Sequence, residues 1–449
     1  MTERTTRGTA RRVAADVLAA VRERGAYANL LLPSLLAERG VGDRDAHFAT
    51  ELTYGTARMQ GTVDAVLTRC VSRDLASVDG PVLDQLRLAG YQMLYLRTPS
   101  YAAVSSAVDE AKQRGGARAG GFANAVLRKL GQRDLDGWLD EIAPPFDKDP
   151  VGHLAVRHAH PEWIVAAYRE ALGGDLAGVA AALAADNVPA PVHLAARPGR
   201  IERAELVART GGAAGPWSPY AVRLSGGDPG RFAEVRTGRA HVQDEGSQLV
   251  AAALASAPLD GPDAVWLDLA AGPGGKAALL GCLAAARGGR LVAVERNPRR
   301  SRLVAGAVRG MPVLPVTADG TAPPVRPGTV DRVLVDAPCT GLGALRRRPE
   351  ARWRRQPADI PALTRLQRAL LTAALAAARP GGLVAYVTCS PHVAETRGVV
   401  AEVLHRTAAT QLDAREHLPG VPDLGAGPHV QLWPHRHGTD AMFLALFRR

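Results

Sequence analysis

Two of the four cysteines stand where a thiol could react. Cys339 lies in Val335-Asp336-Ala337-Pro338-Cys339-Thr340-Gly341, just past one short apolar run, and Cys389 lies in Tyr386-Val387-Thr388-Cys389-Ser390-Pro391, just past another. Both loops are small and polar, whereas a cysteine that only fills a core sits among hydrophobes. Cys70 and Cys282 read as filler. The cysteines are far apart in sequence with no CxxC pair, so no zinc site, disulfide framework or other metal centre is expected. A thiolate is a strong nucleophile. Two thiols at one cleft suit covalent catalysis, one attacking and the other acting as acid or base when the adduct breaks down.

A third loop is built to approach a ligand. Leu267-Asp268-Leu269 runs into Ala270-Ala271-Gly272-Pro273-Gly274-Gly275-Lys276, where small residues admit close backbone contact and a following helix offers free N–H groups. Glu295 follows Gly275 by twenty residues, the spacing at which an acid accepts hydrogen bonds from ribose hydroxyls. Asp319, after the next apolar run, could bind an adenine amino group or simply cap a turn. The loop lacks the G-x-G-x-x-G register and no phosphate-binding Lys-Ser pair follows, which disfavours dinucleotides and ATP. A nucleoside without phosphates, such as S-adenosylmethionine, suits these acids better. With a methyl donor in place, a thiol has a clear use. Carbon 5 of cytosine becomes nucleophilic enough to take a methyl group once a thiolate has added to carbon 6.

These loops need strands to position them. Val265 to Leu269, Leu291 to Val294, Val313 to Val316, Val333 to Val335 and Leu383 to Val387 are short apolar runs separated by helical segments, with a last strand at Met442 to Phe447. That alternation predicts a doubly wound α/β domain whose ligands sit at the carboxyl ends of its strands. Residues from about 8 to 135 carry helical stripes such as Val13, Val17, Leu18, Val21 and Phe122, Val126, Leu127, Leu130, broken at Gly80-Pro81 and Arg97-Thr98-Pro99. Three domains are expected: an all-helical bundle over 1–140, a small mixed α/β domain over 150–240, and the α/β domain over 241–449. A Pro-rich linker from Ala143 to Pro150 separates the first two.

The formal net charge of +11 favours a polyanionic partner. Six arginines crowd between Arg346 and Arg355, directly after Cys339; they read either as a solvated face or as phosphate contacts. Trp353 among them could stack on a base or anchor the loop. Arg114, Arg118, Arg128, Lys129 and Arg133 form a looser cluster. Lysine is rare here, occurring only as Lys112, Lys129, Lys148 and Lys276, so Lys276 marks a site with a specific need. Met1 to Arg12 reads as a disordered basic start without a signal-peptide core, and no apolar stretch is long enough to span a membrane. A soluble, cytoplasmic monomer is expected.

Asp331 to Gly341 resembles the fourth motif of the RNA cytosine-C5 methyltransferases, Thr388-Cys389-Ser390 their sixth, and Pro273-Gly274-Gly275-Lys276 their first. Val242 to Gln248 is similar to the segment ahead of their first strand, and Arg346 to Trp353 to the stretch after the fourth motif. The resemblance implies a Rossmann-like methyltransferase domain using S-adenosylmethionine, with Cys389 as nucleophile and Cys339 assisting product release. It puts Asp336 in the shared cytosine and cofactor pocket and Lys276 beside it. Ala270, Gly272, Ala277, Glu295 and Thr340 depart from the family's usual residues. Gly121 to Arg128 resembles the characteristic segment of NusB-like RNA-binding domains. That fusion is the arrangement of the RsmB (Sun, Fmu) subfamily, implying 16S ribosomal RNA as substrate. Transfer RNA and a non-catalytic RNA-binding role are the alternatives; a DNA-type enzyme would take its nucleophile from the Pro-Cys motif instead.

Overall fold

The computed structural model describes residues 2–96 and 98–449, with side chains from residue 10 onward. Its first half is helical: α1 (Thr2–Arg24), α2 (Ala28–Glu38), α3 (Asp43–Cys70), α4 (Gly80–Tyr95), α5 (Ser100–Leu130), α6 (Leu135–Ile142), α7 (Pro150–His158), α8 (Glu162–Ala171) and α9 (Leu176–Asp186). Helix starts are set locally. Asp134, Asp149 and Asp175 each accept a hydrogen bond from the backbone N–H of the third residue of the helix they cap. α5 is broken at Gly116, whose φ of 77° belongs to the left-handed region. Arg97, part of one expected break, lies outside the described residues; Pro99 does end that break, immediately before α5.

The chain start departs from the disordered segment expected for residues 1–12. Thr2 to Arg24 is one helix, and Ala10, Val13, Ala14 and Val17 form a fully buried stripe along it. That stripe begins inside the Arg-rich stretch, and burial of a helical face outweighs its charge. No described helix is long and apolar enough to cross a membrane.

By contacts the chain forms two units, residues 1–188 with 345–355, and residues 189–344 with 356–449. The arginine run therefore belongs to the helical unit, and two of its members are buried there rather than solvated. Arg352 is fully buried. Its Nη1 donates to Arg58 O and Ala159 O (both 3.1 Å) and to Asn187 Oδ1 (2.9 Å). Burial lowers its pKa to about 10. Arg346 is buried as well, while Arg348 and Arg354 lie over the Tyr27 ring. Trp353 is an anchor: Nε1 donates to Ala57 O at 2.9 Å, and a Cβ on Gly61 would come within 2.3 Å of the indole. By contrast Arg114, Arg118, Arg128, Lys129 and Arg133 stay exposed. Arg352→Ala should leave carbonyls and Asn187 without their buried donor and destabilise the protein by about 3 kcal/mol, read from urea unfolding. A loss below about 0.5 kcal/mol, the usual size for surface changes, would contradict this structural role.

The second unit opens with a four-stranded antiparallel sheet of β1 (His193–Ala196), β2 (Ala213–Ala214), β3 (Ala221–Arg223) and β4 (Ala240–Val242), ordered β2-β3-β1-β4. The larger sheet contains β5 (Val265–Asp268), β6 (Arg290–Val294), β7 (Val313–Val316), β8 (Val330–Asp336), β9 (Ala378–Thr388), β10 (Thr410–Leu412), β11 (Val430–Gln431) and β12 (Phe443–Arg448). Its order is β10-β12-β9-β8-β5-β6-β7, with β11 paired to β12. The five strands β5 to β9 are parallel and β12 is antiparallel to β9. These are the apolar runs expected from the sequence, and the doubly wound arrangement follows from them. Apolar cores cover both faces, one around Trp266, Leu280 and Leu444, the other around Val333, Leu371 and Tyr386.

Candidate active site

Strand order reverses beside β5, and in such sheets the carboxyl ends of the strands at the reversal, here β5, β6, β8 and β9, are where ligands bind. Every expected site residue except Asp319 lies within a few residues of one of those ends. Asp268 closes β5, and Ala270 to Gly274 form the loop into the helix Gly275–Ala285, which carries Lys276 in its first turn. Ala271 N donates to Val294 O at 2.8 Å, tying this loop to β6. Glu295 directly follows β6, Asp336 ends β8, and Cys339 and Cys389 follow β8 and β9. Because Asp336 pairs in register with Val387, the two cysteine loops leave neighbouring strands at the same level.

The register brings the thiols together. Cys339 Sγ lies 3.5 Å from Cys389 Sγ. The hydrogen bond with Cys389, then burial and the charge of Glu395, push the Cys339 thiol well above the ordinary range, so Cys339 keeps its proton. Lys276 Nζ donates to Asp336 Oδ2 at 2.9 Å. Burial alone would lower the Lys276 pKa, but Asp336, Cys389 and Asp268 outweigh it and hold it above the usual lysine range. The ammonium is therefore charged and coupled to Cys389, and it favours that sulfur as thiolate.

The acids around the glycine-rich loop divide by environment. Asp268 is fully buried; burial and Asp336 raise its pKa to about 7. Its Oδ1 accepts from Ala270 N at 3.2 Å, and its Oδ2 has no partner among the described residues. Glu295 is buried, accepting from Gly272 N (3.1 Å) and Asn297 N (2.8 Å) beside Arg300 (3.5 Å). A Cβ at 272 would lie 2.1 Å from Glu295 Oε2, so a larger residue there would displace that carboxylate. Asp319, beyond β7, is about half exposed and accepts from Thr321 N (2.9 Å) and Thr321 Oγ1 (2.7 Å), the geometry of a turn cap.

One residue that the sequence did not single out ties the centre together. Glu395 is fully buried in a short turn after β9. Its Oε1 accepts from Thr340 N (2.8 Å) and Gln367 Nε2 (3.0 Å), and its Oε2 from Thr340 Oγ1 (2.5 Å) and Ser390 Oγ (2.7 Å). Thr340 follows Cys339 and Ser390 follows Cys389, so a single carboxylate fixes both cysteine loops. Glu395 is a positioning residue. Its one sequence signal was an acid six residues past Cys389, which spacing alone does not distinguish from a helix cap.

Comparison with known proteins identifies the family. Residues 254–448 match the model for 16S rRNA methyltransferase RsmB/F, and residues 8–132 match the NusB family. A putative methyltransferase of Mycobacterium tuberculosis is 55% identical over 98% of this chain and 96% of its own. A probable ribosomal RNA small subunit methyltransferase B of Bacillus subtilis is 30% identical over 98% of each chain. This chain belongs to the RsmB/F family of RNA methyltransferases. Among solved structures, PH0851 matches with a TM-score of 0.80 at 22% identity over 99% of each chain. NSun6 from Pyrococcus horikoshii, solved with SFG, matches with a TM-score of 0.54 at 18% identity over 64% of this chain and 98% of its own. Both share the fold of the part of this chain that they cover. In this family member, the helical NusB region precedes the methyltransferase sheet.

Proposed function

We propose that the chain transfers a methyl group from S-adenosylmethionine to carbon 5 of a cytosine in 16S ribosomal RNA through a covalent bond to Cys389. The observation that carries this reading is the pair of thiols 3.5 Å apart beside the charged Lys276. The residues fit a nucleoside cofactor with a cationic sulfur. Asp268 offers a buried, unpartnered oxygen, Gly272 leaves no side chain in the way, and Glu295 and Asp336 add negative charge nearby. When bound, S-adenosylmethionine supplies an electrophilic methyl group.

The protein's own residues do the rest. Cys389 Sγ, ionised next to the Lys276 ammonium, forms a bond to carbon 6, and the electron pair of the carbon 5–carbon 6 double bond shifts to make carbon 5 nucleophilic. Cys339 meanwhile donates its S–H toward the Cys389 sulfur. Once that sulfur is bound to carbon, its charge and hydrogen bond, the largest of the influences that keep Cys339 protonated, are gone. Cys339 then gives its proton to water, and as thiolate it removes the carbon 5 proton, which restores the double bond and expels Cys389 as thiolate. Glu395 holds the two loops at the required spacing. The direct test incubates purified protein with unmodified 16S RNA and the methyl donor, digests the RNA and looks for 5-methylcytidine by mass spectrometry. Methylation at another atom, or of transfer RNA alone, would overturn the reading.

Glu395→Gln replaces an acceptor facing two donors with an NH2 group. It should slow methyl transfer roughly tenfold to a hundredfold, the scale on which misplaced catalytic groups act. Cofactor affinity by calorimetry should stay within about twofold, and Glu395→Asp should recover part of the rate. A fall in cofactor affinity equal to the fall in rate would mean the residue only supports the fold.

A further inference from the structure

A pocket of about 320 Å³ opens between the small antiparallel sheet and the helix Pro298–Ala307, with no carboxylate in its wall. Four arginines line it: Arg197, Arg200, Arg236 and Arg309. Three of them are held by neutral carbonyl oxygens. Arg197 Nη1 donates to Gly238 O at 2.8 Å, Arg200 Nη2 to Gly310 O at 2.5 Å, and Arg236 Nη1 to Gly230 O at 3.0 Å. Carbonyls fix a guanidinium in place yet leave its charge unneutralised. Many other arginines of this unit are paired to acids, as Arg239 is to Glu205, Arg332 to Asp263 and Arg379 to Asp331. Arg197 is buried, and its Nε has no partner among the described residues. Gathering four like charges around one concavity is unfavourable unless an anion completes it.

We propose that this pocket binds a phosphate group of the RNA strand, positioning it alongside the cofactor loop. The planar guanidinium fork matches phosphate oxygens. His241, on the pocket wall, is kept neutral by burial and by Arg197, with its pKa lowered to about 4, so it adds a hydrogen-bonding ring and no charge. The location suits a strand entering the active site. A Cβ on Gly275 would lie 3.5 Å from His241, and one on Gly274 would lie 2.7 Å from Ala307. The pocket therefore backs directly onto the turn that carries Lys276. None of these arginines belongs to the thiol centre, and the proposal rests on RNA being the substrate.

Arg236 and Arg309 are exposed, so Arg236→Gln with Arg309→Gln should fold normally. Binding of a single-stranded ribosomal RNA fragment, followed by fluorescence anisotropy from 50 to 300 mM salt, is expected to weaken about tenfold at the low end. Its slope of log affinity against log salt should flatten by about 0.7, the value for one lost phosphate contact on a single strand. Arg290→Gln with Arg326→Gln removes the same charge at the opposite end of the strands and should flatten the slope by less than half as much. Equal effects of the two pairs would reduce the pocket to general surface charge and overturn the proposal. So would tight binding of inorganic phosphate to wild type with RNA affinity unchanged in the Arg236/Arg309 variant, which would assign the pocket to a free anion. Because RNA binding is read without any chemistry, a wrong methylation position leaves this result standing, and a failed pocket leaves the methylation assay standing.

Discussion

Cys389→Ala is expected to abolish methyl transfer and the covalent RNA adduct together, a loss of at least about four orders of magnitude. Without the thiolate, carbon 5 has no route to sufficient nucleophilicity. Cys339→Ala should behave in the opposite way. Cys389 remains beside Lys276, so the bond to carbon 6 forms and the methyl group is transferred once. The carbon 5 proton then has no base, and the protein stays joined to its product, visible as a slowly migrating band on a denaturing gel. RNA carrying 5-fluorocytosine should trap wild type through Cys389, since that substrate lacks the proton needed for elimination. Adducts lost in Cys339→Ala and accumulating in Cys389→Ala would exchange the two roles and favour the DNA-type mechanism. Normal turnover in both variants would remove the covalent mechanism altogether.

Lys276→Met should reduce turnover by about a hundredfold to a thousandfold, the range seen when one electrostatic contact to a reacting group is lost. The pH dependence carries the diagnosis. Without the ammonium, Cys389 has to ionise unaided, so activity should climb as pH approaches the free-thiol range near about 8.5. Wild type should reach its plateau at lower pH. An unchanged pH profile would detach Lys276 from the nucleophile. Stability should shift too, because Lys276 partly offsets the charge of Asp268, whose pKa stands at about 7. A carboxyl raised in the folded state binds its proton more tightly there than in the unfolded chain. Its contribution to stability is therefore greatest below the unfolded value of about 4 and declines as pH rises toward 7. Removing the lysine raises the folded pKa further and extends the decline, so urea unfolding should show a larger loss at pH 8.5 than at pH 5.5.

Much of this centre was legible in the sequence because its parts are local. Short apolar runs separated by helical segments determined a parallel sheet, since only strands buried on both faces need that composition. The residues just past those runs, Lys276, Glu295, Asp336, Cys339 and Cys389, then had to lie at strand ends. The rarity of lysine pointed to position 276 before any contact was known. Other features depended on which distant segments meet. Glu395 matters because β8 and β9 are neighbours in register, which brings Thr340 and Ser390 to the same carboxylate. Arg352 carries the same charge as any surface arginine, and only the carbonyls of Arg58 and Ala159, far away in the chain, make it a buried structural donor. The four arginines of the phosphate pocket come from three separate stretches of sequence. Local spacing sets which elements form, and through them where strand ends fall. Burial and pairing of a charged side chain depend on what the rest of the chain packs around it, so those were decided by the tertiary structure alone.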